Sequence, residues 1–293
     1  METYSMTQVE TLTGINAHTL RIWERRYNFM KAERTETNIR FYTGEQLKKL
    51  LNVAILTRNG YKVSKIDAMT TEDINTLVTE LQINNTTSYN DDINLLTVSM
   101  LTYNEEAFHT IFHRNILRKG ILNTVTELIY PFLNQVGVLW GTNKVSPPQE
   151  HFISNLIRQK IIAATESLTL PTANAPTLVL FLLEGEDHEL GLLLSNFIAK
   201  DLGWKVIYLG QKMPSENLKD IVLEIKPAYL LTMFTTPRSD NFADILTNIA
   251  QETNTKILYS GNPIFTTTFI NDSNFNYLSS PANLITLLKE YSS

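Results

Sequence analysis

A histidine with a carboxylate two residues before it lies past the middle of the chain, at Glu186 and His188. A neutral imidazole coordinates transition metals well, and a neighbouring carboxylate can hold its other ring nitrogen and fix the tautomer. Gly191 follows three residues later and has no side chain, so a large ligand could approach the backbone there. The pattern predicts a site for a metal-centred ligand. The alternative is an incidental loop histidine at the edge of a sheet.

A second group lies upstream, where Trp140 is followed after nine residues by Glu150 and His151. A tryptophan after an apolar helix is most often part of a core, and an acidic residue at a helix start often compensates the helix dipole. Taken alone, these three residues favour that ordinary reading. They gain functional weight only from what the rest of the chain resembles.

The composition limits what the protein can be. At 293 residues with 43% hydrophobic residues, the chain is long enough for two or three packed domains. It contains no cysteine, which excludes disulfides, thiolate metal sites and thiol catalysis. We find neither a signal-peptide pattern nor an apolar run near 18 residues, and therefore expect a soluble cytoplasmic protein.

The charge is distributed unevenly along the chain. Residues 1–66 contain 11 Lys/Arg and 6 Asp/Glu, a balance of +5, whereas residues 67–293 contain 14 and 24, a balance of −10. Residues 1–66 thus form a basic N-terminal head, whereas residues 67–293 are acidic. This distribution indicates that only the head binds a polyanion such as DNA. Chance variation of surface charge is the alternative.

The residues around the Glu-x-His pattern predict alternating strands and helices. The stretch "PTLVLFLLEG" is a continuous apolar strand, as expected for a strand buried on both faces of a parallel sheet. We expect helices at 188–201, 215–225, 239–251 and 281–291, separated by the strands "KVIYLG", "YLLTMF" and "KILYSG". This is a flavodoxin-like, doubly wound parallel sheet, in which ligands bind outside the carboxyl ends of the strands. Glu186 and His188 directly follow the first strand.

The preceding residues predict a helical bundle. Apolar positions recur at helical spacing, and short connections favour antiparallel packing. Pro131 should kink a helix or mark its end, and Ser146 is a plausible cap before two prolines. The expected helices are 71–82, 91–101, 104–117, 119–138 and 148–168.

The N-terminal residues have the pattern of a helix-turn-helix. A helix from about Thr7 to Thr13 is followed by Gly14, which permits a tight turn. Asn16 then caps a second helix that ends near Tyr27. After a loop and a short extended piece, Thr43 and Gln46 have the spacing of a capping box at the start of a further helix.

These N-terminal residues resemble the MerR family of winged helix-turn-helix regulators, through "TLRIWERRY", Arg34 and "IRFYTGEQLKKL". Members bind pseudo-palindromic operators as dimers and often distort the DNA. The resemblance implies DNA contacts from the second helix and from a wing. On that basis the expected DNA-binding residues are Thr19, Arg21, Arg25, Arg34, Arg40 and Tyr42.

The two downstream groups resemble cobalamin-dependent photoreceptor regulators of the MerR type. The Glu-x-His-x-x-Gly pattern is similar to the Asp-x-His-x-x-Gly signature of cobalamin-binding domains, which implies that His188 is the lower ligand of cobalt. The Trp and Glu-His group resembles the helical cap of those regulators, which implies that Trp140 covers the upper ligand while Glu150 and His151 close its polar side. The implied cofactor is adenosylcobalamin, with methylcobalamin as the alternative.

Two further signatures are present in altered form. The family's Ser-x-Leu falls at Thr232-Met233-Phe234, and its Gly-Gly falls at Ser260-Gly261. The resemblance implies that Thr232, Ser260 and Gly261 flank the pocket for the cofactor's nucleotide tail. Gly141 stands where some light-sensing relatives have a histidine after the cap tryptophan, so a state with two histidines on cobalt is unavailable through that position.

The predicted protein is therefore multidomain α and α/β. It has a winged helix-turn-helix at residues 1–70, a helical-bundle cap at 75–168 and a cobalamin-binding, Rossmann-like domain at 174–293. We expect a non-enzymatic transcriptional regulator, a repressor, that binds operator DNA as a dimer or tetramer under the control of cobalamin and light. A cobalamin-independent regulator is the alternative, which Phe234 and Ser260 favour. A corrinoid methyl-carrier protein is a third reading, against which the basic head argues.

Overall fold

The computed structural model describes residues 3–83, 89–141, 145–236, 242–262, 269 and 272–291, with the backbone alone for residues 82, 83, 89 and 138–141. Its contacts divide the chain into two compact units, Met1–Leu156 and Ile157–Ser293. The expected multidomain α and α/β fold class is confirmed. The three domain boundaries given above stay a prediction.

The first unit begins with the predicted helix-turn-helix and two wing strands. A small antiparallel sheet has the order β1-β3-β2, with Tyr4 opposite Tyr42 and Arg34 opposite Arg40. Strands β1 and β2 have three and two residues, which is too short for a periodic signal in the sequence. The elements are β1 (Thr3–Ser5), α1 (Met6–Thr13), α2 (Ala17–Arg26), β2 (Glu33–Arg34), β3 (Arg40–Thr43) and α3 (Gly44–Arg58).

Local chemistry sets the ends of these helices. Gly14 ends α1 with a φ of 71°, a left-handed conformation that glycine adopts without strain. The Asn16 side chain accepts a hydrogen bond from the N–H of His18 and so caps α2. Thr43 and Gln46 form the reciprocal bonds of a capping box at the start of α3. The predicted caps at these positions are confirmed.

The rest of the first unit is helical. Gly120 has a φ of 78° and bends α7, and a π-helix of six residues, Thr124–Ile129, separates α7 from α8. The π-helix was not predicted; Pro131 has no N–H for the carbonyl of Glu127, so the regular ladder cannot continue through this point. The remaining elements are α4 (Val63–Ile66), α5 (Thr71–Ile83), α6 (Tyr89–Thr102), α7 (Glu105–Asn123), α8 (Tyr130–Gly141) and α9 (Pro147–Glu166).

A buried polar contact joins the helix-turn-helix to the helices that follow it. The Arg58 guanidinium at the end of α3 donates to Asp91 of α6 at 2.6 Å and to the carbonyl of Thr13 at 3.1 Å. Asn59 donates to the other oxygen of Asp91 at 3.2 Å. The Asp91 carboxylate is buried, so these donors stabilise its charge and fix α6 against α1 and α3.

The second unit contains the predicted doubly wound sheet. The five parallel strands have the order β5-β4-β6-β7-β8, and an apolar core that includes Phe181, Leu230 and Ile257 lies against one face. Helices α10 and α13 contact each other, as do α11 and α12. The short β8 was not predicted. The elements are β4 (Thr177–Leu183), α10 (Leu190–Asp201), β5 (Lys205–Met213), α11 (Ser215–Ile225), β6 (Tyr229–Phe234), α12 (Phe242–Thr253), β7 (Lys256–Gly261), β8 (Phe275–Tyr277) and α13 (Pro281–Tyr291).

Strand β5 lies at one edge of this sheet and is irregular near its end. Its pairing with β4 shifts register after Leu180 and again after Phe181. Gly210 and Lys212 both have positive φ, 75° and 57°. Among the helices of the described ranges, none has the length and apolar content that crossing a bilayer requires.

Candidate functional site

His188 and Glu186 form a close pair in the loop that follows β4. The Nδ1 atom of His188 lies 2.7 Å from Oε1 of Glu186, and the same oxygen accepts the backbone N–H of His188 at 3.1 Å. The His188 side chain is 58% exposed, whereas that of Glu186 is 0% exposed. A buried carboxylate thus holds an accessible imidazole by one ring nitrogen, which is the arrangement that orients a metal-ligating histidine.

The second oxygen of Glu186 binds the loop that follows β6. Oε2 accepts the backbone N–H groups of Thr235 at 2.7 Å and Thr236 at 3.1 Å, and the Thr236 hydroxyl at 3.2 Å. Burial raises the pKa of Glu186, but the hydrogen bonds from His188 and Thr235 outweigh it and hold that pKa well below its usual range. Glu186 is therefore a carboxylate at any physiological pH.

The space beside Gly191 is occupied by a side chain from β6. A Cβ atom placed on Gly191 would lie 2.5 Å from Sδ and 3.2 Å from Cε of Met233. The missing side chain of Gly191 thus makes room for the thioether of Met233 in this structure. The sequence pattern alone did not indicate this contact.

The ends of β6 and β7 bring the remaining sheet residues to the same edge. Thr232 is fully buried, and its hydroxyl has no hydrogen-bond partner within the described ranges. Ser260 donates to the carbonyl of Leu278 at 2.7 Å. Gly261 lies against β6, because a Cβ atom there would be 2.1 Å from the carbonyl oxygen of Phe234. Thr232 therefore has an unsatisfied polar atom within the described ranges. Ser260 and Gly261 already make contacts within the second unit, to Leu278 and to Phe234.

A further polar group lies next to His188 and was missed by the sequence reasoning. Glu189 accepts a hydrogen bond from the hydroxyl of Tyr208 at 2.7 Å and also pairs with Arg158 of α9. Burial, and after it the bond to Glu189, raises the pKa of Tyr208 well above its usual value. These contacts fix the first residue after His188. The flavodoxin-like strand order, with β5 beside β4, was the available signal for Tyr208.

The structure places the cap residues of the sequence prediction in α8 and α9. Trp140 is in the last turn of α8, and its side chain lies outside the described part of the chain. Glu150 and His151 are in the first turn of α9, where the His151 Nδ1 is 2.8 Å from the Glu150 carboxylate. Glu150 also accepts from the hydroxyl of Ser154. The two residues form a pair on one helix turn, and their proposed role toward a ligand stays a prediction.

The second helix of the helix-turn-helix has its basic residues on the surface. Arg21 and Arg25 are exposed, Thr19 is half-buried, and Leu20 is fully buried beneath them. The helix thus has one apolar residue in the core and guanidinium groups toward solvent. This distribution suits a helix that contacts phosphates and base edges.

The wing is tied to that helix by a shared carboxylate. Glu24 of α2 accepts from Arg40 at 2.7 Å and lies 3.8 Å from Arg34. Tyr42 is 0% exposed, and its hydroxyl lies 3.4 Å from Sδ of Met6. Burial raises the pKa of Tyr42 to about 12. Arg34 and Arg40 thus remain at the surface, whereas Tyr42 packs inside and can affect DNA only through the position of β3.

The residues at the sheet edge fit the coordination end of a cobalt–corrin cofactor. His188 with a buried carboxylate on Nδ1 is a suitable donor set for a transition metal. The buried hydroxyl of Thr232 would gain a partner from a polar group of a ligand. Met233 is the feature that does not match an open groove beside Gly191.

Comparison with known families matches two parts of the chain. The family described as "MerR HTH family regulatory protein" matches residues 4–73, and the family described as "B12 binding domain" matches residues 93–164. The first match covers the helix-turn-helix with its wing, and the second covers most of α6 through α9. The chain thus combines a match to a MerR-type helix-turn-helix with a match to a B12-binding domain.

Curated relatives match over most of the chain. The protein is 26% identical to the HTH-type transcriptional repressor CarH of Myxococcus xanthus over 255 residues, 85% of each chain. It is 27% identical to the repressor CarA of the same organism, over 81% of this chain and 79% of CarA. The similarity extends over both units, and together with the two family matches it supports a cobalamin-linked, DNA-binding regulator.

A solved structure has a similar fold over 73% of this chain. The monomethylamine corrinoid protein of Methanosarcina barkeri superimposes with a TM-score of 0.50 at 15% identity, covering 73% of this chain and 96% of that one. At this identity the likeness shows the fold alone.

Proposed function

We propose that this regulator is a repressor whose operator binding and oligomeric state are controlled by a bound cobalamin, in the first place adenosylcobalamin, and through it by light. The observation that carries the proposal is the accessible His188 imidazole held by a buried carboxylate at the carboxyl edge of the sheet. A ligand that stabilises one assembly over another shifts the population between them, and operator affinity shifts with it.

In this proposal His188 would hold the cobalt through Nε2, because Nδ1 is engaged by Glu186. Glu186 sets the tautomer and the direction of the ring. When bound, adenosylcobalamin supplies a cobalt–carbon bond that light can break. Trp140, Glu150 and His151 would cover the upper side of the cofactor, a role that rests on their resemblance to the cap of related regulators.

The DNA-binding part of the proposal assigns roles to surface residues of the first unit. Thr19, Arg21 and Arg25 on α2 would contact a major groove, while Arg34 and Arg40 would contact the backbone from the wing. Binding as a dimer or tetramer to a pseudo-palindromic operator would place two such helices on one site.

The test is cofactor retention in the dark. The full chain is mixed with adenosylcobalamin under red light and desalted, and its absorbance spectrum is compared with that of His188→Ala. We expect the wild type to retain cobalamin with a spectrum in which histidine replaces the cofactor's own base, and the variant to lose it. Illumination of the loaded wild type should change both the spectrum and the elution volume on a sizing column.

A matched control removes a different histidine. His113 is exposed on α7, and His113→Ala should retain cobalamin as the wild type does. Retention that is equal in wild type and His188→Ala would contradict coordination by His188. An unchanged elution volume after illumination would contradict control of assembly by light.

A cobalamin-independent regulator is the second candidate. The packing of Met233 beside Gly191 and the burial of Phe234 favour it, because both fill space at the sheet edge. In that case the second unit, which contains the parallel sheet, would mediate oligomerisation or bind a protein partner. Operator affinity that is the same with and without cobalamin, together with no retained cofactor, would support this reading.

A further inference from the structure

Bulky side chains occupy both sides of the end of β6. Met233 is half-buried and packs beside Gly191 of the first turn of α10, with its sulfur 2.5 Å from the position that a Cβ of residue 191 would take. Successive residues of a strand point to opposite faces, so Phe234 lies on the other side. There its ring packs 5.0 Å from that of Phe242 and 5.7 Å from that of Phe269.

The side chains of Met233 and Phe234 differ in how tightly they are packed. Phe234 is fully buried in an aromatic cluster, where Phe269 also stacks on Phe275 at 4.2 Å. Removing one ring from such a cluster leaves a cavity. Met233 is unbranched, only half-buried and able to adopt several rotamers. Met233 is therefore the side chain that a ligand could displace, and Phe234 is part of the fixed structure.

We propose that Met233 makes this regulator select corrinoids that lack the lower nucleotide over complete cobalamin. The inference rests on the proposed function, since it concerns a corrinoid held by His188. A corrin ring without a nucleotide needs no groove beside Gly191. Complete cobalamin has a ribose phosphate and a benzimidazole base, and it binds only when Met233 leaves the position seen here.

Coordination by His188 does not depend on the nucleotide. The imidazole takes the place that the benzimidazole base holds in the free cofactor, so a corrinoid without that base loses no cobalt bond. Complete cobalamin must in addition release its own base from cobalt, but that cost is the same in the wild type and in Met233→Ala. The part of the selectivity that Met233 controls is therefore decided by the space beside Gly191.

The test is a spectral titration of the full-length protein with adenosylcobinamide and adenosylcobalamin in the dark. We expect the wild type to bind adenosylcobinamide about tenfold more tightly, because displacing a packed side chain weakens binding by about that factor. Met233→Ala should bind adenosylcobalamin about tenfold more tightly than the wild type and change adenosylcobinamide affinity less than about threefold.

Two control variants test whether the effect depends on the size of the side chain at position 233. Met233→Leu preserves the volume of the side chain and should keep the selectivity of the wild type. Met213→Ala truncates a methionine at the end of β5, which is separated from β6 by β4. Met213 is not within 4 Å of the Gly191 Cβ position, so this variant should have no effect on selectivity. Circular dichroism melting checks that each variant is folded.

The outcomes separate the two proposals. If both corrinoids bind through His188 and Met233→Ala leaves their affinity ratio unchanged, the role of Met233 is wrong and the proposed function stands. If the wild type binds adenosylcobalamin more tightly than adenosylcobinamide, the role of Met233 is likewise wrong and the proposed function stands. If neither ligand binds to the wild type or to Met233→Ala, the cobalamin proposal itself fails.

Discussion

At the scale of single residues, Glu186 connects two loops through its two carboxylate oxygens. One oxygen accepts from His188, and the other accepts from Thr235 and Thr236. A carboxylate one methylene shorter would have to reach both loops from a position closer to the backbone. The glutamate at this position of the pattern thus has a structural reason, which the sequence pattern did not reveal.

Glu186→Gln tests the orientation of the imidazole. The amide keeps the shape of the side chain but replaces one acceptor oxygen with a donor, so one of the two loops loses its hydrogen bonds. We expect cobalamin affinity to fall about 10–100-fold, as is typical when the partner of a metal-ligating histidine is removed. A dark spectral titration measures it.

The matched control is Asp187→Asn, which neutralises the adjacent, exposed carboxylate. It should change the affinity less than about twofold, because an exposed ion pair contributes little. Equal effects of the two variants would show that only the local charge matters.

The same carboxylate predicts how stability depends on pH. The pKa of Glu186 is lower in the folded chain than its ordinary value of 4.5. Its contribution to the free energy of unfolding is therefore fully present at neutral pH and is lost as the pH falls below about 4.5. Urea unfolding at pH 7 and pH 3.5 should show a smaller acid-induced loss for Glu186→Gln than for the wild type. An equal loss would contradict this assignment.

Gly261 is a position where the fold requires glycine. A Cβ atom there would lie 2.1 Å from the carbonyl oxygen of Phe234, and the φ angle is 129°. We expect Gly261→Ala to lower the free energy of unfolding by roughly 2–4 kcal/mol, from backbone strain and overpacking together. Gly203→Ala is the control, since that residue has a φ of 83° but open space around it. It should cost only about 1–2 kcal/mol; an equal cost would exclude the steric contribution.

At the scale of elements, the bond between Arg58 and Asp91 joins α3 to α6 within the first unit. Asp91→Ala removes a buried acceptor and leaves the guanidinium with the Thr13 carbonyl alone among these partners. The expected loss is about 2 kcal/mol in the free energy of unfolding. Urea denaturation of the full chain measures it.

Glu45→Ala is the control for this pair. It removes an exposed ion pair with Lys48 on the same helix, α3, and should cost at most about 0.5 kcal/mol. If Asp91→Ala costs no more than Glu45→Ala, the contact does not stabilise the packing of α6.

The elements that could be predicted are those with strong local signals. Gly14, Asn16 and Thr43 determine helix ends by their own chemistry, and the apolar run of β4 is long enough to identify a buried strand. Strands of two or three residues, such as β1 and β8, depend on their neighbours for pairing. The π-helix depends on how Pro131 is accommodated in three dimensions.

The candidate site was predictable in part for the same reason. Glu186, His188 and Gly191 are close together in sequence, so their spacing carries the signal. The partners Thr235 and Tyr208 come from other strands and become neighbours only through the strand order. The side chain of Met233 reaches Gly191 because β6 ends beside α10. The spacing of residues along the sequence does not predict that contact.

At the scale of the whole molecule, the charge asymmetry bears on how the protein meets DNA. The first 66 residues have a balance of +5 and the remainder −10. The acidic remainder is repelled by phosphates, so attraction to DNA is confined to the head. The number of counterions that the DNA releases on binding is therefore limited to those displaced by the head.

Arg21→Ala with Arg25→Ala tests the head. The double variant should weaken operator binding at least about tenfold and lower the slope of log affinity against log salt by about 2, if both side chains contact phosphates. Fluorescence anisotropy at several salt concentrations measures both quantities. Lys219→Ala, in the second unit, is the control and should leave the slope unchanged. A slope that stays the same in the double variant would place the phosphate contacts elsewhere.

The irregular end of β5 has a consequence for how copies of the chain meet. An edge strand with unpaired backbone groups is a template for strands of other chains, and a flat edge promotes aggregation. Here two positive-φ residues and two register shifts deform the edge, and Lys205 and Lys212 place charges at its ends. The sheet is therefore a poor template for growth into open fibres at this edge.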